Sequence, residues 1–193
     1  MKRVLLIAVN AKYIHSNPAV YSLKAYAQAA LEDLNVEIDI AEYTINQNTE
    51  NILADIYRRK PDIAAFSCYI WNWNTIQGLL PEIPKLLPET KLWLGGPEVS
   101  FHAEKILEQY SYLDGIMVGE GEQTFTELVR FYQTEEGSLL DIKGLVLPTG
   151  RTPVRELTDM NRLPFLYKDL ERFANRIIYY ESQRGCPFRC AYC

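Results

Sequence analysis

The residues best placed to do chemistry lie together: Cys186, Cys190 and Cys193, in the stretch RGCPFRCAYC at 184–193. Three thiolates this close form a soft-ligand set suited to zinc or to an iron–sulfur cluster. Structural zinc takes four protein ligands, and neither histidine of the chain, His15 or His102, is near in sequence. A 4Fe-4S cluster held by three cysteines keeps one iron open for a substrate or cofactor. The bland alternative is a loop of free thiols. Against it stands the setting, because Ile177–Gln183 reads as an apolar-rich strand running straight into the loop. The fourth cysteine, Cys68, falls in another apolar run and reads as a small buried residue. Such usage is no disulfide framework and agrees with a cytoplasmic location, expected because no membrane span or cleavage-type signal is read; in that reducing compartment a tight cysteine cluster more often ligates metal.

A second chemistry is suggested by glycines that directly follow apolar runs. Gly95-Gly96 ends the run Lys91–Leu94, and Gly119 and Gly121 follow Gly115–Val118. A residue without a side chain lets backbone approach a ligand closely, and free N–H groups there can receive phosphate or amide oxygens. Glycine after a strand also simply makes tight turns. Two such pairs on successive strands favour a binding rim. Glu120 and Glu122 suit a helix N-terminus and read as structural, closing that rim.

The elements that must position these loops alternate regularly over the first 133 residues. Lys2–Val9 is a continuous apolar run, as in a strand buried on both faces. Asn17 and Pro18 mark a helix entry, with Asn17 as cap. Further strands are expected at Val36–Tyr43, Asp62–Ile70, Lys91–Leu94 and Gly115–Val118, with helices between them and after the last. Pro81 and Pro84 predict that the third helix is broken in two. This alternation implies an α/β fold with a doubly wound, five-stranded parallel sheet, flavodoxin-like or Rossmann-like, in the order 2-1-3-4-5. Ligands then bind outside the carboxyl ends of the strands. Beyond that, Ile142–Leu147 and Arg151–Glu156 read as a hairpin and Leu157–Tyr167 as a linker. The expected organisation is a front domain over 1–134, hairpin and linker over 135–175, and the start of a second domain over 176–193.

Composition narrows the classes. Of 193 residues, 48% are hydrophobic and 23% charged, which suits a packed core. The formal charge of −5 argues against a nucleic-acid partner, and no apolar run is long enough to span a membrane.

The pattern Cys186-x3-Cys190-x2-Cys193, with Tyr192 before the last cysteine, resembles the cluster loop of the radical S-adenosylmethionine (radical SAM) superfamily. The resemblance implies that the three cysteines hold a 4Fe-4S cluster, that S-adenosyl-L-methionine chelates the fourth iron, and that Tyr192 neighbours its adenine. Ile177–Gln183 is then the first strand of the family's barrel, whose remaining strands this sequence lacks. The chain is expected to be the front piece of a longer enzyme, inactive by itself and without an assembled cluster.

A doubly wound domain ahead of that loop is similar to one subgroup, the cobalamin-dependent radical SAM enzymes. The resemblance rests on NAKYIHSNPAVYSLKAY (10–26), FSCYIWN (66–72), LGGPEVSF (94–101) and DGIMVGEGEQTF (114–125). It implies a cobalamin rim made by Asn10, Lys12, Tyr13 and His15; by Ser67, Tyr69, Trp71 and Asn72; by Gly95, Gly96, Pro97 and Glu98; and by Gly119, Glu120, Gly121 and Thr124. Many cobalamin domains carry Asp-x-His-x-x-Gly after strand one, with the histidine on cobalt. Here the stretch is Tyr13-Ile14-His15-Ser16-Asn17-Pro18, so cobalamin is expected to be held without histidine ligation, over the 10–17 loop. His15 then reads as a capping or loop-surface residue. The family's chemistry is methyl transfer to an unactivated carbon or phosphorus, or, in some members, cyclisation or rearrangement. The partners implied are the chain's own absent barrel, a small-molecule substrate and an electron donor such as flavodoxin or ferredoxin. A degenerate scaffold or substrate-docking domain that no longer holds cobalamin is the alternative. A receiver domain is disfavoured, since strand three ends at Ser67-Cys68 and not in an aspartate.

Overall fold

Both faces of β1 (Lys2–Asn10) are covered, so the run from Val4 to Asn10 is buried without a break. The computed structural model describes residues 1–167, 170–186, 188, 190 and 191. In it β1 pairs in parallel with β2 (Val36–Thr44) and with β3 (Ile63–Ser67). β4 (Lys91–Gly95) and β5 (Gly115–Met117) continue the parallel sheet, in the expected order β2-β1-β3-β4-β5. Two short antiparallel strands, β6 (Leu145–Leu147) and β7 (Gly150–Arg151), then extend it to seven. The hairpin anticipated from sequence is therefore part of the sheet, but its ladder is much shorter than the expected Arg151–Glu156 arm. Pro153 has no N–H to donate, and Val154 is already exposed.

Alternating side chains of the strands feed two cores. Leu5, Ile7, Val9, Phe66 and Leu94 pack against α2 (Thr49–Arg59), α3 (Trp73–Leu79), α4 (Ile83–Leu86), α5 (Pro97–Ser100) and α6 (Ala103–Gln109). Val4, Leu6, Ala8, Trp93 and Met117 face α1 (Pro18–Ala30) and α7 (Gly121–Thr134), which pack side by side. The break between α3 and α4 falls at the prolines, as expected. Asn48 caps α2 through Oδ1, which accepts from the Glu50 N–H at 2.8 Å. Asn17 does not cap α1. Its buried amide instead donates to Ser67 Oγ at 3.3 Å, so the entry rests on Pro18 at the first helical turn.

Strand three ends at Ser67, short of the expected Ile70, because Asn72 pulls the chain into a turn. Its Oδ1 accepts from the Tyr69 N–H at 2.8 Å, and its Nδ2 donates to the carbonyls of Val9 and Ser67. Ile177–Gln183, expected as a strand, joins no ladder. A strand requires a hydrogen-bonded neighbour, and among the described residues this segment finds one parallel bridge, between Ile177 and His15. The linker before it returns to the domain: Tyr167 and Phe173 are buried in the α1–α7 core, with Phe173 edge-on to Tyr21 at 5.0 Å.

Candidate functional site: a cleft at the carboxyl edge of the sheet

Strand register places Ser67, Gly95 and Met117 in one row at the carboxyl edge, beside the point where the strand order reverses between the parallel neighbours β1 and β3. Above that row opens a cleft of about 1120 Å³. Small-molecule pockets usually measure roughly 300–1,000 Å³, so this one suits a large ligand. One wall comprises the start of α1, Ser67, Tyr69, Gly95–Pro97 and Gly119–Glu122. The opposite wall is the returning chain, Met160, Leu163–Tyr167, Tyr179–Glu181 and Gln183–Gly185.

The glycines shape the sheet-side wall. Gly96 has φ +106° and ψ 169°, a conformation open in practice to glycine alone, and a Cβ there would stand 2.4 Å from the Cys68 carbonyl oxygen. Gly119 also has a positive φ, +87°, yet a Cβ on it would meet nothing within 4 Å; its space is the cleft. Gly121 starts α7 hard against Leu23, where a Cβ would lie 2.9 Å from Cδ2. Backbone thus forms the rim, packed against the protein at Gly96 and Gly121 and facing open space at Gly119.

Of the residues nominated from sequence, Ser67, Tyr69, Gly95, Gly96, Pro97, Gly119, Glu120 and Gly121 line this cleft. The others stand elsewhere. Trp71 stacks on the back of Tyr69 with ring centroids 4.4 Å apart. Asn72 is wholly buried in its turn, and Glu98 follows the rim, its N–H directed at the Cys68 carbonyl. Thr124 is sealed beneath the hairpin, donating to the Lys143 carbonyl and accepting from Arg155 Nε. Asn10 donates to the His15 carbonyl and to Glu42 Oε1, which ties the β1 loop to β2. Lys12 and Tyr13 are exposed on that loop, with the Arg176 guanidinium 4.7 Å above the Tyr13 ring. His15 faces the returning chain: its Nδ1 is hydrogen-bonded to the Tyr179 hydroxyl and its ring stacks on Tyr179. Cys186 and Cys190 are exposed free thiols, while Cys193 and Tyr192 lie outside the described residues. Among the described residues no three His, Cys, Asp or Glu side chains gather as a metal site.

Sequence reading gave Glu120 and Glu122 a structural role at the rim but missed the partner that joins them there, Arg184. Glu122, at the start of α7, is only 4% exposed and accepts from Ser22 Oγ at 2.6 Å and from Arg184 at 2.6 and 3.0 Å. Burial pushes its carboxyl up, but the Arg184 and Ser22 hydrogen bonds and the guanidinium charge outweigh that and hold it below the usual range. Arg184 also reaches Glu120 and Glu181. A second pair, Arg176 with Glu42 at 2.6 Å, fastens the linker beside Tyr21. The one available signal was Arg184 itself, set two residues before the first cysteine.

Comparison with known proteins bears on this geometry. The family model of the B12 binding domain matches residues 4–129. The chain belongs to the B12-binding domain family. This B12-binding domain is 26% identical over 149 residues to the cobalamin-dependent radical SAM methyltransferase TokK of Streptomyces tokunonensis, covering 69% of the chain and 22% of TokK. It is 23% identical over 190 residues to the anaerobic magnesium-protoporphyrin IX monomethyl ester cyclase of Cereibacter sphaeroides, covering 90% of the chain and 30% of that enzyme. Among solved structures, the radical enzyme OxsB with aqua-cobalamin and S-adenosylmethionine bound superposes with a TM-score of 0.82 at 20% identity, over 100% of this chain and 28% of OxsB. The methyltransferase TsrM from Kitasatospora setae, with cobalamin and a 4Fe-4S cluster bound, gives 0.63 at 21% identity, over 84% of this chain and 30% of TsrM. The B12-binding domain therefore has the Rossmann-like fold of those enzymes and resembles their cobalamin domains, and it spans between a fifth and a third of the relatives named. Among the described residues no helix is long and apolar enough to cross a membrane.

Proposed function

We propose that this chain binds cobalamin in the carboxyl-edge cleft, as the front domain of a radical SAM enzyme that methylates or rearranges an unactivated substrate carbon. The observation that carries the reading is the glycine-built wall: Gly96 backbone lies against Cys68, where a side chain has no room, and Gly119 leaves open space above β5. The family match over residues 4–129 supports the ligand's identity. Ser67 would offer a hydroxyl, Gly95–Pro97 and Gly119–Gly121 a close backbone surface, and Tyr69 an aromatic face. Such a wall suits a large, mostly apolar group that carries amide and phosphate oxygens. When bound, cobalamin supplies a carrier for a methyl group.

The chain's own residues do the remaining work. The segments at 160–167 and 179–185 line the cleft from the returning chain and would flank the bound group on that side. His15, engaged with Tyr179, is committed to holding that wall and supports cobalamin without a histidine on cobalt. Cys186, Cys190 and Cys193 are proposed to hold a 4Fe-4S cluster that binds S-adenosyl-L-methionine. The support for that is their spacing and the kinship with radical SAM enzymes. The rest of the enzyme, its substrate and an electron donor such as flavodoxin or ferredoxin complete the proposal.

Titration with hydroxocobalamin under reducing conditions, followed by visible spectroscopy, tests the reading. Saturable binding with a base-off spectrum, unchanged by His15→Ala, is expected. A spectrum of bound cobalamin that changes on His15→Ala would place the histidine on cobalt, whereas weaker binding with the same spectrum would report only the loosened Tyr179 wall. Absence of binding, both here and in a longer chain carrying the barrel, would leave a scaffold domain instead.

A further inference from the structure

Two short motifs far apart in sequence meet in one ion-pair network. Glu120-Gly121-Glu122 opens α7, and Arg184-Gly185-Cys186 opens the cysteine loop. Arg184 spends its whole fork there: Nη2 and Nη1 on Glu122, Nη1 also on Glu120, and Nε on Glu181. Ser22 joins Glu122 from α1, so the guanidinium is tied to both helices that flank the cleft.

Packing does not explain this arrangement. A buried ion pair repays its desolvation only in part, and apolar side chains of similar size fill such space as well. What a planar, two-pronged guanidinium on a carboxylate does supply is a fixed position and direction. Upstream, the same segment is fastened at Ile177 by the Ile14 carbonyl and Ser16 Oγ, and at Tyr179 by Tyr167 Oη and His15. Arg184 is the last of these fastenings before the cysteines. Two residues reach at most about 7 Å, so the Cys186 backbone is tethered close to the cleft wall.

We infer that Arg184, held by Glu122 and Glu120, is a positioning residue that sets where the cysteine loop begins relative to the cofactor cleft. The inference rests on the cobalamin and cluster reading above. It gives the glutamates and the arginine a task that neither the cofactor nor the cluster assigns them: keeping the two metal-binding elements at one separation and one orientation.

Distance measurement tests it. With Cys190→Ser and Cys193→Ser in place, one nitroxide is put on Cys186 and another on Glu108→Cys, an exposed position on α6. Pulsed electron paramagnetic resonance then reads their separation in the unliganded chain. A single narrow distribution is expected, at least doubling in width in Arg184→Met and in Glu122→Gln, with Arg184→Lys between. Circular dichroism of each variant confirms that the sheet is intact, and the two substitutions at different partners guard against one failing to fold. A distribution in Arg184→Met as narrow as in the parent chain would overturn the inference, as would a parent chain already broad. A second arm replaces the Glu108→Cys label with bound cob(II)alamin as the paramagnetic partner. If cob(II)alamin does not bind, the cofactor reading fails on its own account, while the nitroxide pair still decides whether Arg184 holds the loop.

Discussion

Replacing Gly96 with alanine tests the cleft wall at the point where it is least forgiving. The perturbation is a single methyl group. At φ +106° and ψ 169° the backbone lies in a region that only glycine populates freely, and holding another residue there costs about 1–3 kcal/mol. The new Cβ would also sit 2.4 Å from the Cys68 carbonyl oxygen and 3.0 Å from its nitrogen. Neither atom can swing aside, because both belong to the main chain: the Cys68 N–H donates to the Gly95 carbonyl at 2.7 Å, locking β3 to β4. The whole loop must therefore shift. Gly119→Ala is the matched control, with a positive φ of +87° but no atom within 4 Å of a new Cβ. For a chain of this length each kcal/mol lowers the melting temperature by roughly 2–4 °C. Gly96→Ala is expected to fall by about 2–12 °C from backbone strain alone, and by more once the clash is included. Gly119→Ala should stay near the lower end of that range. Thermal melts by circular dichroism read the difference. Equal melting temperatures for the two variants would refute the reasoning, since the control shares the strained φ and lacks the collision.

The remaining predictions concern charge and thiols. Glu42→Gln leaves the largely buried Arg176 cation without its counter-charge and should cost about 3 kcal/mol, seen as a melting temperature roughly 6–12 °C lower. Glu122 titrates below its unfolded value, so its contribution is complete above the unfolded pKa and is lost as pH falls through the folded one. The stability advantage of the native chain over Glu122→Gln should accordingly be constant above about pH 5 and shrink in more acidic buffer, by melts across a pH series. Burial drives the Cys68 thiol well above its ordinary pKa, so iodoacetamide should modify Cys186 and Cys190 in the folded chain and spare Cys68 until denaturant is added. Mass spectrometry of the digested product would show it, and early labelling of Cys68 would contradict its burial.

Strand order was readable because parallel strands covered on both faces carry unbroken apolar runs, as in Val4–Val9, and because Pro81 and Pro84 forbid one long helix. The glycine pairs were readable for a similar local reason: each directly ends an apolar strand. The far wall was not. Leu157–Tyr167 has little periodicity and Ile177–Gln183 carries a strand signal that finds no ladder, because this wall is positioned largely by hydrogen bonds to partners more than 60 residues away, such as Arg184 to Glu122. No local pattern records such a partner. The same applies to Asn17 and Thr124, whose polar groups serve Ser67 and the hairpin and not the cap or rim that their neighbours in sequence suggest.

The sheet has two edges, and they are finished differently. At one, β6 covers β5 and β7 dwindles to two residues, so little backbone remains open to a newcomer. At the other, β2 is nine residues long and, among the described residues, paired along one side only, which would ordinarily invite a second molecule to add its own strand. Its exposed positions are Glu37 and Asp39, each next to a buried isoleucine. Two copies pairing along this edge would set carboxylates of like sign opposite one another on the exposed face, offset only in part by Lys24, which lies 3.8 Å from Asp39. The acidic spacing along β2 thus disfavours its pairing with a second copy of the same edge.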